Sequence, residues 1–225
     1  MFALRSRTAW RILPGNTAYT ASILTEEQAH EVATFIRAVS AVPAAEVEAF
    51  CALARERRYT KGEDFVRAGE ACDELLFIHR GAFRYYLLAG DKDHTKDFSP
   101  ERSFCTAFTS FVTRSPSQIF VGALEDAVVS VWQAAEFFRV VDASFSWQRL
   151  LRLMAQRLYI RKEQREISLL VDDARGRYER FIREFPTLSS FADVEERVPQ
   201  HLIASYLGVT PETLSRVRRA LKEGR

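Results

Sequence analysis

Residues 198–221 restrict the possible folds of this chain more than any other stretch of its sequence. Pro199 suits the start of a helix, because its missing amide hydrogen costs nothing there, and apolar residues then recur with a helical spacing. Gly208 ends this first helix. Thr210 and Pro211 begin a second one, since they supply a capping hydroxyl and a fixed φ angle. Two short helices joined by a tight turn are therefore expected.

The two helices are predicted to pack closely on each other. Ala204 is small and lies four residues before Gly208, and Leu214, Val217 and Leu221 give the second helix an apolar side. The capped start, the small residue, the glycine and the apolar spacing together predict a helix-turn-helix. An ordinary helical hairpin is the alternative.

The second helix has a polar face opposite its apolar side. Four side chains lie on this face at positions i, i+3, i+4 and i+7: Glu212, Ser215, Arg216 and Arg219. They supply a carboxylate acceptor, a hydroxyl and two guanidinium groups, which are the groups that a recognition helix uses to read base edges. In an ordinary hairpin these arginines would only be solvated. We expect double-stranded DNA as the partner.

Composition allows two modest domains but gives no overall bias toward nucleic acid. The 225 residues are 47% hydrophobic, which is enough for a real core, and the net charge is only +2. Affinity for DNA must therefore come from a local patch. Five bases and two acids give residues 199–225 a net charge of +3: Arg216, Arg218, Arg219, Lys222 and Arg225 against Glu212 and Glu223.

The cysteines and the N-terminal residues indicate a cytoplasmic protein. Cys51, Cys72 and Cys105 are few and widely spaced, which excludes a disulfide framework and a metal-binding Cys-x-x-Cys pair. We expect reduced thiols in or near the core. Residues 1–25 contain no acid and no apolar run long enough for a signal peptide or a membrane span, and we expect a flexible extension.

The middle of the chain has the pattern of short strands separated by glycines. Two helices are predicted first, over residues 25–40 and 43–54. Strands are then predicted around residues 65–66, 75–78, 83–88, 95–98, 119–124 and 128–132. Short strands at regular spacing indicate a jelly roll or β-sandwich, and the whole chain is therefore expected to be α+β.

A long helix is predicted after a short one over residues 134–141. It begins at the capping residues 142–144 and reaches about residue 171. Leu151, Met154 and Leu158 follow a heptad-like spacing, which favours a dimer seam. The seam continues with Ile160, Ile167 and Leu170. The alternative is that this helix packs only on the predicted strands of its own chain.

The sequence resembles the Crp/Fnr family of transcription regulators. Its Thr-Pro-Glu-Thr-Leu-Ser-Arg stretch, residues 210–216, is similar to the recognition helix of some members, and the spacing from Gly62 to Gly69 matches the opening turn of their cyclic-nucleotide-binding β-roll. The resemblance covers most of the chain. It implies a jelly-roll sensor domain, a long dimerisation helix, palindromic DNA bound by a homodimer, and RNA polymerase as a further partner.

The resemblance also implies roles for individual side chains. The positions that match Glu212, Ser215 and Arg216 read base edges in the family, and those that match Gln200 and Thr210 hold the phosphate backbone. The complete set of predicted DNA contacts is Gln200, Thr210, Glu212, Thr213, Ser215, Arg216 and Arg219.

Four segments are predicted. They are a flexible extension at residues 1–25, a cyclic-nucleotide-binding-like β-roll at 26–143, the dimerisation helix at 144–172, and an all-α, winged-helix-like helix-turn-helix domain at 173–225. Only four residues follow Leu221, so contacts from a hairpin wing are not expected.

The usual cyclic AMP site is not expected in the β-roll. Family members that bind cyclic AMP carry a Gly-Glu pair for the ribose and an Arg-Ser or Arg-Thr pair for the phosphate. This chain has Thr106 with Ala107 and Ser117 with Gln118 instead. A buried phosphate without its arginine costs several kcal/mol.

Arg114 and Ser115 lie near by in the sequence, and they belong either to a site for an anionic effector or to a solvated loop. Together with Thr106 and Ser117 they form the candidate effector pocket. No cofactor is expected. The iron–sulfur members of the family carry a close cysteine cluster near the N-terminus, and nothing comparable precedes Cys51.

Catalysis is not expected. The jelly-roll cupin enzymes need histidines two residues apart on one strand, whereas this chain has isolated histidines: His30, His79, His94 and His201. It also lacks a Gly-rich phosphate loop and a nucleophile elbow. The second hypothesis is a signalling module in which the β-roll binds a nucleotide and the terminal helices bind protein. Salt-dependent binding to duplex DNA would distinguish the two hypotheses.

Overall fold

The computed structural model describes residues 24–90, 92–188 and 197–223. The predicted extension up to residue 23 and the base Arg225 lie outside these ranges. The helices are α1 (Glu26–Val39), α2 (Ala44–Ala52), α3 (Phe108–Thr113), α4 (Ala134–Ala143), α5 (Phe145–Val171), α6 (Ala174–Glu184), α7 (Gln200–Leu207) and α8 (Pro211–Lys222). The strands are β1 (Arg55–Tyr59), β2 (Asp64–Val66), β3 (Glu74–Arg80), β4 (Phe83–Ala89), β5 (Lys92–Ser99), β6 (Phe104–Cys105), β7 (Phe120–Ala123) and β8 (Ala127–Gln133).

The strands form two four-stranded antiparallel sheets, with the orders β1-β8-β3-β6 and β2-β7-β4-β5. The α+β class and every strand predicted from the sequence are confirmed. Helices α4 and α5 also lie where the sequence predicted them.

Helix α2 and the start of α5 cover the core of the β-roll. Phe50 of α2 stacks on Trp132 of β8 with ring centroids 4.6 Å apart, and it contacts Trp147 of α5 with ring centroids 4.5 Å apart.

Strand β1 was not predicted from the sequence, because four of its five residues are charged. Arg57 nevertheless points inward and is only 6% exposed. Its guanidinium donates to both carboxylate oxygens of Glu74, at 2.7 and 2.8 Å, and to the Tyr59 hydroxyl at 2.9 Å. A buried charge is tolerated when it is paired and hydrogen-bonded in this way. The short elements β6 and α3 were also missed.

A second hydrophobic cluster lies at the C-terminal end of the chain. It contains buried residues of α6, α7 and α8 together with three residues of the β-roll, which are Ala82, Phe98 and Leu124. The helix-turn-helix therefore packs against the β-roll. No helix in the described parts of the chain is both long enough and apolar enough to span a membrane.

Candidate DNA-binding surface

The turn between α7 and α8 is built around Gly208. This residue has a φ of 67°, in the left-handed region, and the Val209 amide donates to the Ala204 carbonyl at 3.0 Å to close the end of α7. Ala204 and Leu214 are each 1% exposed where the two helices meet. The glycine indicated by the sequence thus forms the turn, and the small residue lies where the two helices pack on each other.

Gly208→Ala is expected to destabilise the protein by about 1–2 kcal/mol, because an L side chain is strained at this φ angle. The new Cβ itself has room, since its nearest neighbours would be Arg177 Nη1 at 3.6 Å and Leu169 Cδ2 at 3.7 Å. Denaturant unfolding measures the loss. Gly208→Asn is the control and should lose less, because asparagine tolerates the left-handed region. Equal stability of wild type and the alanine variant would contradict this account of the turn.

Helix α8 begins with the capping arrangement that its sequence predicts. The hydroxyl of Thr210 accepts a hydrogen bond from the Thr213 amide at 3.2 Å, and Pro211 occupies the first turn. The cap fixes where α8 starts and therefore which of its side chains point outward.

The outward face of α8 carries the four polar side chains that the spacing predicted: Glu212, Ser215, Arg216 and Arg219, all exposed. Arg216 Nη2 donates to Thr213 Oγ1 at 3.2 Å, which holds the guanidinium near the start of the helix. Hydrogen bonds from its own backbone amide and from the Thr210 hydroxyl lower the pKa of Glu212 below its usual value. At neutral pH this face therefore offers an ionised acceptor beside two cationic donors.

Gln200, at the start of α7, lies beside the start of α8. Its side-chain amide donates to the Pro211 carbonyl at 3.3 Å. Gln200, Ser215, Arg219 and Lys222 also line a shared surface depression, with Arg218 and Glu223. The structure thus brings the predicted backbone-binding residue of α7 next to the predicted reading face of α8.

The positive patch is smaller than the sequence indicated. Arg218 is only 6% exposed, because it follows Leu214 by one helical turn and so lies on the buried side of α8. Among residues 200–223, the exposed Arg and Lys side chains are Arg216, Arg219 and Lys222, against the exposed acids Glu212 and Glu223. The face is suited to specific contacts more than to strong general attraction of phosphate.

Comparison with solved structures identifies the architecture. FixK2 from Bradyrhizobium japonicum matches with a TM-score of 0.65 and 21% identity, over 76% of this chain and 86% of that one. The c-di-GMP responsive global regulator CLP of Xanthomonas campestris matches with a TM-score of 0.60 and 18% identity, over 81% and 93%. The chain has the fold of the Crp/Fnr regulators. A proposed cAMP-binding regulatory protein from Silicibacter pomeroyi also matches, with a TM-score of 0.63 and 20% identity, over 88% and 89%. Neither a protein-family model nor a curated protein sequence matches this chain.

In this Crp/Fnr fold, the residues of the candidate effector pocket already bond to other parts of the chain. Thr106 donates to the Glu74 carbonyl at 2.9 Å, and Ser117, 5% exposed, donates to the Ile119 carbonyl at 2.7 Å. Arg114 forms an ion pair with Asp73 at 2.9 Å. The fourth residue, Ser115, shares a hydrogen bond with Thr113 at 2.6 Å.

A new anion at the candidate effector pocket would have to displace these partners, and the Arg114 charge is already balanced by Asp73. Among the described residues, no group of three His, Cys, Asp or Glu side chains is placed to hold a metal ion.

The long helix α5 of the Crp/Fnr fold packs on its own β-roll and also exposes apolar residues. Leu151 and Met154 are partly buried against the β-roll core, whereas Leu158 is half-buried and is not among the residues packed against either core cluster. Six large apolar residues of α5 are exposed: Phe145, Tyr159, Ile160, Ile167, Leu170 and Val171. Contact with its own β-roll therefore leaves much apolar surface of α5 uncovered.

Proposed function

We propose that this protein is a sequence-specific, DNA-binding transcription regulator that acts in the cytoplasm as a homodimer on palindromic DNA. The observation that carries the proposal is the outward face of α8, where Glu212, Ser215 and Arg216 stand together on a capped helix of a helix-turn-helix. The proposal assigns no catalytic activity and no cofactor, and it includes RNA polymerase as a partner at the promoter.

Recognition follows from the chemistry of these side chains. Arg216 donates two hydrogen bonds to guanine O6 and N7 in the major groove, and the ionised Glu212 accepts from cytosine N4. Ser215 contacts an adjacent base edge. Gln200, Thr210, Thr213 and Arg219 hold the phosphate backbone and so set the depth and angle of α8 in the groove. Specificity comes from the base contacts, and the phosphate contacts set the register.

The exposed apolar surface of α5 supports a two-fold dimer. Six large apolar side chains exposed on one helix are typical of a protein interaction surface. A two-fold dimer places two copies of α8 on one side of the DNA, with half-site centres about 34 Å, or one helical turn, apart. The target is therefore a palindrome.

The test of the proposed function is selection of duplexes from a random pool by the full-length protein at one fixed salt concentration. Enrichment of a two-fold symmetric motif, with an affinity that falls steeply as salt rises, is the expected result. A pool that stays random after several rounds would contradict the proposal. Enrichment that needs no symmetry would contradict the dimeric part alone.

Millimolar cyclic AMP is expected to leave both the melting temperature and the DNA affinity unchanged. Ser117 is buried and bonded to Ile119, and Arg114 is paired with Asp73, so the phosphate finds no free arginine at these positions. The melting test is sensitive, because a ligand at 100 times its dissociation constant stabilises a protein by about 2.7 kcal/mol. 5′-AMP serves as the control nucleotide. A clear rise in melting temperature with cyclic AMP alone would contradict this interpretation of the β-roll.

A further inference from the structure

The aromatic ring of Phe98, in strand β5 of the β-roll, lies inside the hydrophobic core of the C-terminal helices. It is 1% exposed, and its centroid lies 6.0 Å from that of Phe181, 5.7 Å from Phe185 and 5.4 Å from Tyr206. Phe181 and Phe185 belong to α6 and its C-terminal cap, and Tyr206 belongs to α7. The β-roll therefore supplies one of the central rings of the helix-turn-helix core.

Arg197, which precedes α7, forms a second connection to the β-roll. Its guanidinium forms ion pairs with Glu101 and with Glu125, the latter at 2.6 Å, and both acids belong to loops of the β-roll. It also donates to the Thr187 carbonyl at 3.2 Å. One side chain thus holds the approach to α7 against two separate β-roll loops.

Polar contacts also join strand β5 to α7 and to α5. The Thr95 amide of β5 donates to the Ser205 hydroxyl of α7 at 2.9 Å. Arg161 of α5 pairs with Asp97 of β5 and, at 3.2 Å, with Glu184 of α6. Strand β5 therefore contacts α5, α6 and α7 through the Thr95 backbone amide, the Asp97 carboxylate and the Phe98 ring.

The side of the helix-turn-helix that packs on β5 is not the side predicted to read DNA. Packing uses Ser205 and Tyr206 of α7, whereas Glu212, Arg216 and Arg219 of α8 stay exposed in the same arrangement. Because α7 and α8 are joined by a fixed turn and a shared core, the position of α7 on β5 determines the direction of the α8 face.

We propose that strand β5, with Phe98 as its central positioning residue, orients the helix-turn-helix for DNA, and that the packed arrangement is the DNA-binding one. This inference rests on the proposed function. A dimer can use both half-sites of a palindrome only if its two recognition helices stand at a fixed separation. Holding α7 on β5 fixes that separation before binding, and preorganisation of this kind raises affinity for the matching site.

The experiment compares two matched pairs of full-length variants. Phe98→Leu trims the ring at the packing surface, and its control Phe77→Leu trims an equally buried ring within the β-roll. Glu125→Gln removes one partner of Arg197, and its control Glu48→Gln makes the same charge change on an exposed side chain of α2. Hydrogen exchange of the α7 amides is measured without DNA. Affinity is measured on a selected palindrome and on random duplex at one salt concentration.

Phe98→Leu and Glu125→Gln are expected to speed exchange of the α7 amides and to weaken binding to the palindrome by about tenfold, while binding to random duplex changes less than about twofold. Phe77→Leu should lower the melting temperature without this difference between the two duplexes, and Glu48→Gln should behave as wild type. Loss on the palindrome alone is the signature of positioning, since general destabilisation would affect both duplexes.

Two results would overturn the inference. Unchanged α7 exchange in both Phe98→Leu and Glu125→Gln would mean that β5 does not hold the helix-turn-helix. Faster exchange together with tighter binding to the palindrome would make the packed arrangement inhibitory. A wild-type protein that selects no DNA would defeat the proposed function, and the exchange measurements, which need no DNA, would still decide whether β5 holds α7.

Discussion

Arg216→Ala is expected to reduce affinity for the palindromic target by about 2–6 kcal/mol, because each of two half-sites loses a bidentate contact worth about 1–3 kcal/mol. The guanidinium is exposed on the outward face of α8 and is oriented by Thr213 Oγ1 at 3.2 Å. Affinity for random duplex should change little. Titration of both duplexes at one fixed salt concentration measures the difference. The variant should also lose its preference for one particular base at one position of each half-site.

Two further variants separate base reading from charge. Arg216→Lys keeps the charge but replaces the planar fork with a flexible ammonium group, so it should lose part of the same specificity while binding to random duplex is kept. Arg219→Ala should weaken palindrome and random duplex about equally and should reduce the salt slope by about one unit for each protomer, as expected of a phosphate contact. Equal losses on both duplexes for Arg216→Ala would make Arg216 a backbone contact and refute its assignment to base reading.

Leu158→Glu is expected to convert the dimer to a monomer at tens of micromolar protein. Leu158 is half-buried and continues the heptad-like spacing of Leu151 and Met154, so a dimer formed through this predicted seam would bury it further. A carboxylate at this position would place an ionised group in the apolar seam of the dimer, which is unfavourable. Sedimentation or light scattering gives the mass directly.

Gln118→Glu is the control for this change, since it adds the same charge at an exposed position of the β-roll, outside α5. It should remain dimeric. The monomeric Leu158→Glu protein should also lose most of its affinity for the palindrome, because each chain then holds one half-site alone. Normal dimers of Leu158→Glu would exclude this seam, and the exposed side of α5 around Ile167 and Leu170 would then be the next surface to test.

Local signals in the sequence were sufficient for the helix-turn-helix. The cap at Thr210, the left-handed glycine at Gly208 and the small residue at Ala204 each act through neighbours a few residues away, so their effect can be worked out without knowing the rest of the fold. The same holds for most strands of the β-roll, whose apolar pattern and glycine turns are local. The outward face of α8 followed from helical periodicity alone.

Local signals were insufficient where a side chain is stabilised by a distant partner. Strand β1 is charged and looks unlike a buried strand, yet Arg57 is held inside by Glu74, seventeen residues away. Arg218 is a different case: it was counted with the DNA-facing bases by its charge alone, although its position one helical turn after Leu214 is itself a local signal for the buried side.

The sequence by itself determined the order of most elements, the helix-turn-helix and the polar face of α8, because these depend on spacing and capping within single helices and strands. Only the tertiary structure decided that Phe98 enters the core around Tyr206 and that Arg197 joins α7 to two β-roll loops. Periodicity shows which side of an element is apolar, but it does not show which other element covers that side. That choice depends on packing between residues more than seventy positions apart, which no local pattern encodes.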